Sequence, residues 1–187
     1  FVQGISLRQY LESRNQPMSF TEAWNFLLPV MEALEKVHQN KLIHRDISPD
    51  NFIIKEDGSI KLLDFGSARE YAEEKTMTVL VKKGYAPPEQ YSRKGKQGPW
   101  TDIYSICATL YEMITGVIPQ PAMERLKADK LYLPSSYGCD ITPLQEKILM
   151  KGLALDYKKR YKDIAELKNS FFPEKQERQK KNKKYGI

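Results

Sequence analysis

The chain has little of what crosslinks a fold or binds soft metals: two cysteines and two histidines in 187 residues. Cys107 and Cys139 match no zinc or dithiol spacing, which excludes a disulfide framework and a thiolate metal site. Cys107 sits in an apolar helical run and reads as a small core filler. A reducing compartment is the expectation. No run approaches the ~18 apolar residues of a membrane span, and no signal peptide is visible. A net excess of one charge is also scarce outside one place. The net charge is +6, and residues 174–187 alone carry +4 through Lys175, Arg178, Lys180, Lys181, Lys183 and Lys184 against Glu174 and Glu177. No nucleic-acid partner is expected. Residues 173–187 read as a basic flexible tail or linker with almost no apolar content. The alternative is a basic stretch leading to a membrane helix elsewhere in a longer protein.

What remains is enough for one domain with a core, at an ordinary 41% apolar content. Leu7 to Arg14 reads as a short helix. Ser19 or Thr21 can cap a second helix that runs to about Gln39, with Trp24, Leu27, Met31 and Leu34 as its buried stripe. Pro29 predicts a kink in it, and Asn40 a left-handed stop. Leu42-Ile43, Phe52-Ile53-Ile54 and Ile60 to Leu63 read as short strands, with Asp57-Gly58 as a hairpin turn. From Asp102 to Thr115 the pattern is apolar nearly all round, as in a central helix, and Gly116 ends it. Pro143 to Ala154 and Asp163 to Phe171 are two further helices.

The chemistry sits in three short motifs. Residues 44–51 read His44-Arg45-Asp46-Ile47-Ser48-Pro49-Asp50-Asn51, followed by Asp64-Phe65-Gly66 and then Pro87-Pro88-Glu89. In that order and at those spacings, H-R-D-x-x-x-x-N, D-F-G and a near A-P-E resemble the protein-kinase signature set. Gly84-Tyr85-Ala86-Pro87-Pro88-Glu89-Gln90-Tyr91 with Asp102-Ile103-Tyr104-Ser105 resembles bacterial eukaryotic-like serine/threonine kinases more than animal ones. Only 43 residues precede His44, and they hold neither G-x-G-x-x-G nor V-A-I-K. The opening Phe1-Val2-Gln3-Gly4-Ile5-Ser6-Leu7 is similar to a kinase hinge running into the first helix of the large lobe.

The resemblance implies an α+β, mainly helical fold. It is a protein-kinase-like large (C-terminal) lobe over residues 1–172, with a small β-hairpin sheet at the active site and the N-terminal lobe absent. It implies a serine/threonine protein kinase that passes the γ-phosphate of ATP to protein hydroxyls, a reaction that rests on positioning and charge neutralisation. Asp46 would accept or orient the hydroxyl proton. Asn51 and Asp64 would hold Mg²⁺, with Mn²⁺ as an alternative, since hard cations prefer oxygen ligands. Val2 resembles the hinge residue that meets adenine, and Ile53 the apolar floor beneath the ring. His44 resembles a structural histidine stacked on Phe65, and Gly66 lets the backbone turn after the metal ligand. His38, near a helix end, reads as surface or cap. Arg45 beside Asp46 goes with control by activation-loop phosphorylation. Thr76 and Thr78 are then either phosphate acceptors or merely solvated hydroxyls. Glu89 would pair with Arg160, and Asp102 would accept hydrogen bonds from the catalytic-loop backbone.

Three positions depart from the family pattern. Ser48 stands where a lysine usually contacts the γ-phosphate. Lys82 stands where a threonine usually faces that lysine. Pro87 stands where alanine is usual. One site has lost a cation and its expected spatial neighbour has gained one, so either the enzyme is impaired or Lys82 supplies the charge from the opposite loop; the swap is the reading adopted. Two other functions compete: a pseudokinase or interaction scaffold, and a small-molecule phosphotransferase of kinase-like fold. The expected partners are a protein substrate and the missing N-terminal lobe. The expected location is cytoplasmic, with a membrane reached only through the parent protein, and residues 1–187 alone are expected to be inactive.

Overall fold

Ser6 starts the helical part of the chain, and the computed structural model describes residues 4–63, 69–70 and 81–171. The Ser6 hydroxyl accepts the Gln9 N–H at 3.1 Å, while the Gln9 side-chain oxygen accepts the Ser6 N–H at 2.9 Å. This reciprocal cap satisfies two end groups of α1 (Leu7–Ser13). Ser19 caps α2 (Phe20–Gln39) by accepting the Glu22 N–H at 3.2 Å. Pro29 lies on the exposed side of α2, and the helix runs on through it. Water can take the carbonyl that proline leaves without a donor. Trp24, Leu27, Met31 and Leu34 are all buried on the other side. The end of α2 departs from the sequence expectation. Asn40 has φ −87° and the left-handed residue is Lys41, at φ 59°. Asn40 closes the helix with its side chain instead, donating to the Lys36 carbonyl at 2.8 Å.

Two small antiparallel sheets follow. In the first, β1 (Ile5–Ser6), β3 (Phe52–Ile54) and β4 (Ile60–Leu62) lie in the order β1-β3-β4. Ile53 faces Lys61 across one ladder and Ser6 across the other. The turn at Asp57-Gly58 closes the β3–β4 hairpin, with Gly58 at φ 77° and Asp57 accepting the Ser59 N–H at 2.9 Å. In the second sheet β2 (Leu42–Ile43) pairs with β5 (Arg69–Glu70).

The core is built on α3 (Pro99–Thr115), in which every residue from Thr101 to Thr115 is buried. A helix with no exposed face has to be surrounded, and α2, α5 (Pro143–Gly152) and α6 (Ile164–Phe171) pack around it. α3 begins three residues before Asp102, because Pro99 suits a first turn and the Thr101 hydroxyl accepts the Gly98 N–H at 3.2 Å. Gly116, at φ 71°, stops it. α5 comes so near that a Cβ on Gly152 would lie 2.2 Å from the Cys107 sulfur. Burial there pushes the Cys107 thiol up to about 12. Asp163 caps α6 rather than joining it, accepting the Glu166 N–H at 2.7 Å. Phe171 then sets its ring 4.4 Å from Trp24 and 5.4 Å from Phe20, tying α6 to α2. A short helix not anticipated from sequence, α4 (Ala122–Arg125), follows α3. Val2, Asp64, Phe65, Gly66, Thr76, Thr78 and the tail lie outside the described residues.

Candidate active site

The loop 44–51 joins β2 to β3, and its shape is imposed from α3. Asp102 is fully buried, and its two carboxylate oxygens accept the backbone N–H of His44 at 2.8 Å and of Arg45 at 2.9 Å. Arg45 sits at φ 70°, a left-handed backbone that a bulky non-glycine residue rarely adopts without such support. The same carboxylate meets Nε2 of His38 at 2.8 Å. This corrects the reading of His38 as surface or cap: its side chain is 6% exposed and it is the third group on Asp102. The misreading came from helical position, since nothing local reveals a partner 64 residues away.

His44 is sealed inside. Its Nδ1 accepts the Asp46 N–H at 3.3 Å, and its Nε2 donates to the Leu63 carbonyl at 3.1 Å, a pattern that fits the neutral ring protonated at Nε2. It therefore shapes the backbone at Asp46. Asn51 donates through its side-chain nitrogen to the Asp46 carbonyl at 2.7 Å, and its own carbonyl accepts the Leu63 N–H at 2.7 Å. With the nitrogen engaged, the Asn51 side-chain oxygen is the atom with hard-cation chemistry. Leu63 directly precedes Asp64 in the chain. Ile53 is half-buried on β3, in the sheet next to this loop.

Lys82 reaches in from the segment after residue 80. Its Nζ donates to the Ser48 hydroxyl at 2.9 Å and lies 3.7 Å from Asp46 and 3.8 Å from Asp50. Ser48 is fully buried beneath it and its hydroxyl points on to Asp50 at 3.5 Å. The carbonyl of Lys82 also accepts the N–H groups of Tyr85 and Ala86, which fixes the turn behind it. Gly84 in that turn has φ 89°, and a Cβ would lie 2.5 Å from an Ile118 methyl. Gln90 ties the segment back by donating to the Arg45 carbonyl at 2.8 Å.

Glu89 and Arg160 form a bidentate pair at 2.7 and 3.0 Å, both side chains almost wholly enclosed. Arg160 spends its remaining donors on the carbonyls of Ala154, Trp100 and Leu155, and Thr101 donates to Glu89 at 3.1 Å. Such full pairing is what a buried ion pair requires.

A second charged group was not foreseen. Arg8 of α1 hydrogen-bonds Glu112 and the Tyr85 hydroxyl, and its Nε lies 3.6 Å from Asp50. Burial works against the Arg8 charge, yet the bonds to Glu112 and Tyr85 outweigh it and hold the guanidinium above its ordinary value. Burial and the bond to Glu112 likewise raise the Tyr85 phenol. A cavity of about 380 Å³ opens beside Arg8, Glu12 and Glu112.

A profile of the protein kinase domain matches residues 1–169. The chain belongs to the protein kinase family. Among relatives, this kinase chain is 32% identical to the serine/threonine-protein kinase PrkC of Bacillus subtilis over 91% of its own length and 28% of the relative's. It is 31% identical to the probable serine/threonine-protein kinase PknB of Lactococcus lactis over 89% of this chain and 28% of that protein. The match to PknB of Mycolicibacterium smegmatis is 30%, over 90% and 28%. The chain thus spans little more than a quarter of the length of these relatives. A solved structure described as the apo form of PpkA-294 superposes with a TM-score of 0.75 at 30% identity, covering 91% of this chain and 60% of that one. The kinase family accounts for the fold, a helical lobe with two small antiparallel sheets.

Proposed function

We propose that the whole protein is a serine/threonine protein kinase in which Lys82 supplies the cation that Ser48 cannot. The observation that carries this is the Lys82 ammonium, 2.9 Å from the Ser48 hydroxyl and 3.7 Å from Asp46. Asp46 is one-third exposed, so a substrate hydroxyl can reach it. It accepts or orients the proton of that hydroxyl. Lys82, a point charge on a long stem, meets developing negative charge on the transferring group. Asn51, through its side-chain oxygen, and Asp64 would hold Mg²⁺. When bound, the ion neutralises phosphate oxygens of ATP. Residues 1–187 by themselves carry no glycine-rich loop or strand lysine to align the phosphates, and isolated they transfer phosphate too slowly for a useful assay.

The test is Lys82→Ala in the full-length protein, with kcat and ATP affinity measured separately. The expected result is a loss of kcat of at least about tenfold with little change in ATP binding, the sign of a contact made in the transition state. The double change Ser48→Lys with Lys82→Thr should recover much of the loss. An unchanged kcat in Lys82→Ala would remove Lys82 from the mechanism. No transfer by the unaltered full-length protein would favour a pseudokinase.

A further inference from the structure

Asp50 lies between two cations that belong to different parts of the chain. On one side its Oδ2 is 3.8 Å from Lys82 Nζ; on the other its Oδ1 is 3.6 Å from Arg8 Nε. The Ser48 hydroxyl joins the first pair, since it accepts from Lys82 at 2.9 Å and points its own proton towards Asp50 at 3.5 Å. Arg8 is anchored in turn by Glu112 and Tyr85, both held by α3: Glu112 is part of it, and Ser105 of α3 donates to the Tyr85 carbonyl at 2.9 Å. A line of alternating charge therefore runs from the core to Asp46: Glu112, Arg8, Asp50, Lys82, Asp46.

We infer that Asp50, balanced by Arg8, is a positioning residue that sets where the Lys82 ammonium stands. The inference rests on the catalytic reading of Lys82 given above. Lys82 hangs on a four-carbon stem and would otherwise sample many rotamers. Two carboxylates, Asp46 and Asp50, flank its ammonium at nearly equal distance, with Ser48 below. Held by Asp46 alone, the ammonium would sit on the base itself. Held by Asp50 as well, it stays between them. Arg8 keeps Asp50 from taking the lysine outright, because it shares the charge of that carboxylate. Asp50 is half-exposed, and pairs of this kind add little to stability. Its effect belongs in the rate.

The experiment is a double-mutant cycle in the full-length kinase with kcat and both KM values read. Asp50→Asn should lower kcat by about three- to tenfold, and should change kcat by less than about 1.5-fold when Lys82 is already alanine. KM for ATP and for the protein substrate should stay within about twofold, and Asp50→Glu should restore most of kcat. Arg8→Gln, with its folded fraction followed by thermal melting, should lower kcat in the same direction. Equal losses from Asp50→Asn in both backgrounds, or a loss confined to KM for the protein substrate, overturn the inference while leaving Lys82 catalytic. An unchanged kcat in folded Arg8→Gln removes Arg8 from the arrangement. If Lys82→Ala alone is as fast as the unaltered enzyme, the catalytic reading fails and this inference falls with it.

Discussion

At Glu89 and Arg160 the two side chains are 6% and 0% exposed, and every strong donor of the arginine meets an oxygen. At Lys82 the carboxylates of Asp46 and Asp50 stand 3.7 and 3.8 Å away, and a third to a half of each side chain faces water. Both clusters use the same two kinds of charge. Out of water, an ion pair is costly unless its geometry is complete, so the first has no freedom to rearrange. In water, the second can shift its partners at little cost. One cluster holds the lobe together; the other is left adjustable at the site proposed for phosphoryl transfer.

The widest gap between the two should come from Arg160→Met. It strands a buried carboxylate and should lower unfolding free energy by about 3–5 kcal/mol in a denaturant titration. Adding Glu89→Leu should return a large part of that. A loss under about 1 kcal/mol for Arg160→Met would break the comparison.

High pH offers a second division. The Cys107 thiol is pushed up to about 12 by burial, and burial also raises the Tyr85, Tyr111 and Tyr161 phenols. A folded pKa above the unfolded one means stability that is complete below the unfolded value and is lost as pH climbs towards the folded one. For Cys107 that window opens near 9 and extends to about 12. The melting temperature should therefore fall steadily above pH 9, and a flat profile from pH 8 to 11 would contradict the enclosed state of these groups.

His38→Ala removes one of the three groups on buried Asp102 and should cost about 1–3 kcal/mol. It also tests the enclosure of the His38 ring against Asp102. The smallest effect should be Asp50→Asn on stability. It should stay within about 0.5 kcal/mol, although the same change is expected to slow the enzyme.

Much of this was legible along the chain. The buried stripe of α2 and the mostly apolar run of α3 are visible in the residues themselves, and Asp57-Gly58 names its own turn. Ser48 and Lys82 could be paired because each departs from a family pattern at a related position. What stayed hidden depends on partners far away in sequence. Arg8 looks like any exposed arginine on a short helix until Glu112, 104 residues later, is folded against it. Asp50 looks like a turn former until Lys82 and Arg8 flank it. β1 is two residues long and has no alternation to read. Asn40 was expected to turn left-handed by type, but its side chain found the Lys36 carbonyl first.

Arg45 has a consequence for the order of folding. Its left-handed backbone is not favoured by its own sequence and is held by a carboxylate 57 residues downstream. The contacts inside the loop, from His44 to Asp46 and from Asn51 to the Asp46 carbonyl, do not replace that carboxylate at Arg45, so a peptide spanning residues 42–54 should not reproduce the full loop. Closing that long loop costs entropy before any contact repays it. The loop 44–51 must then wait until the start of α3 is seated, which makes it one of the last parts of the lobe to form. A refolding chain should gain the helical signal of α2 early, and should protect the His44 and Arg45 amides from hydrogen exchange only when α3 docks.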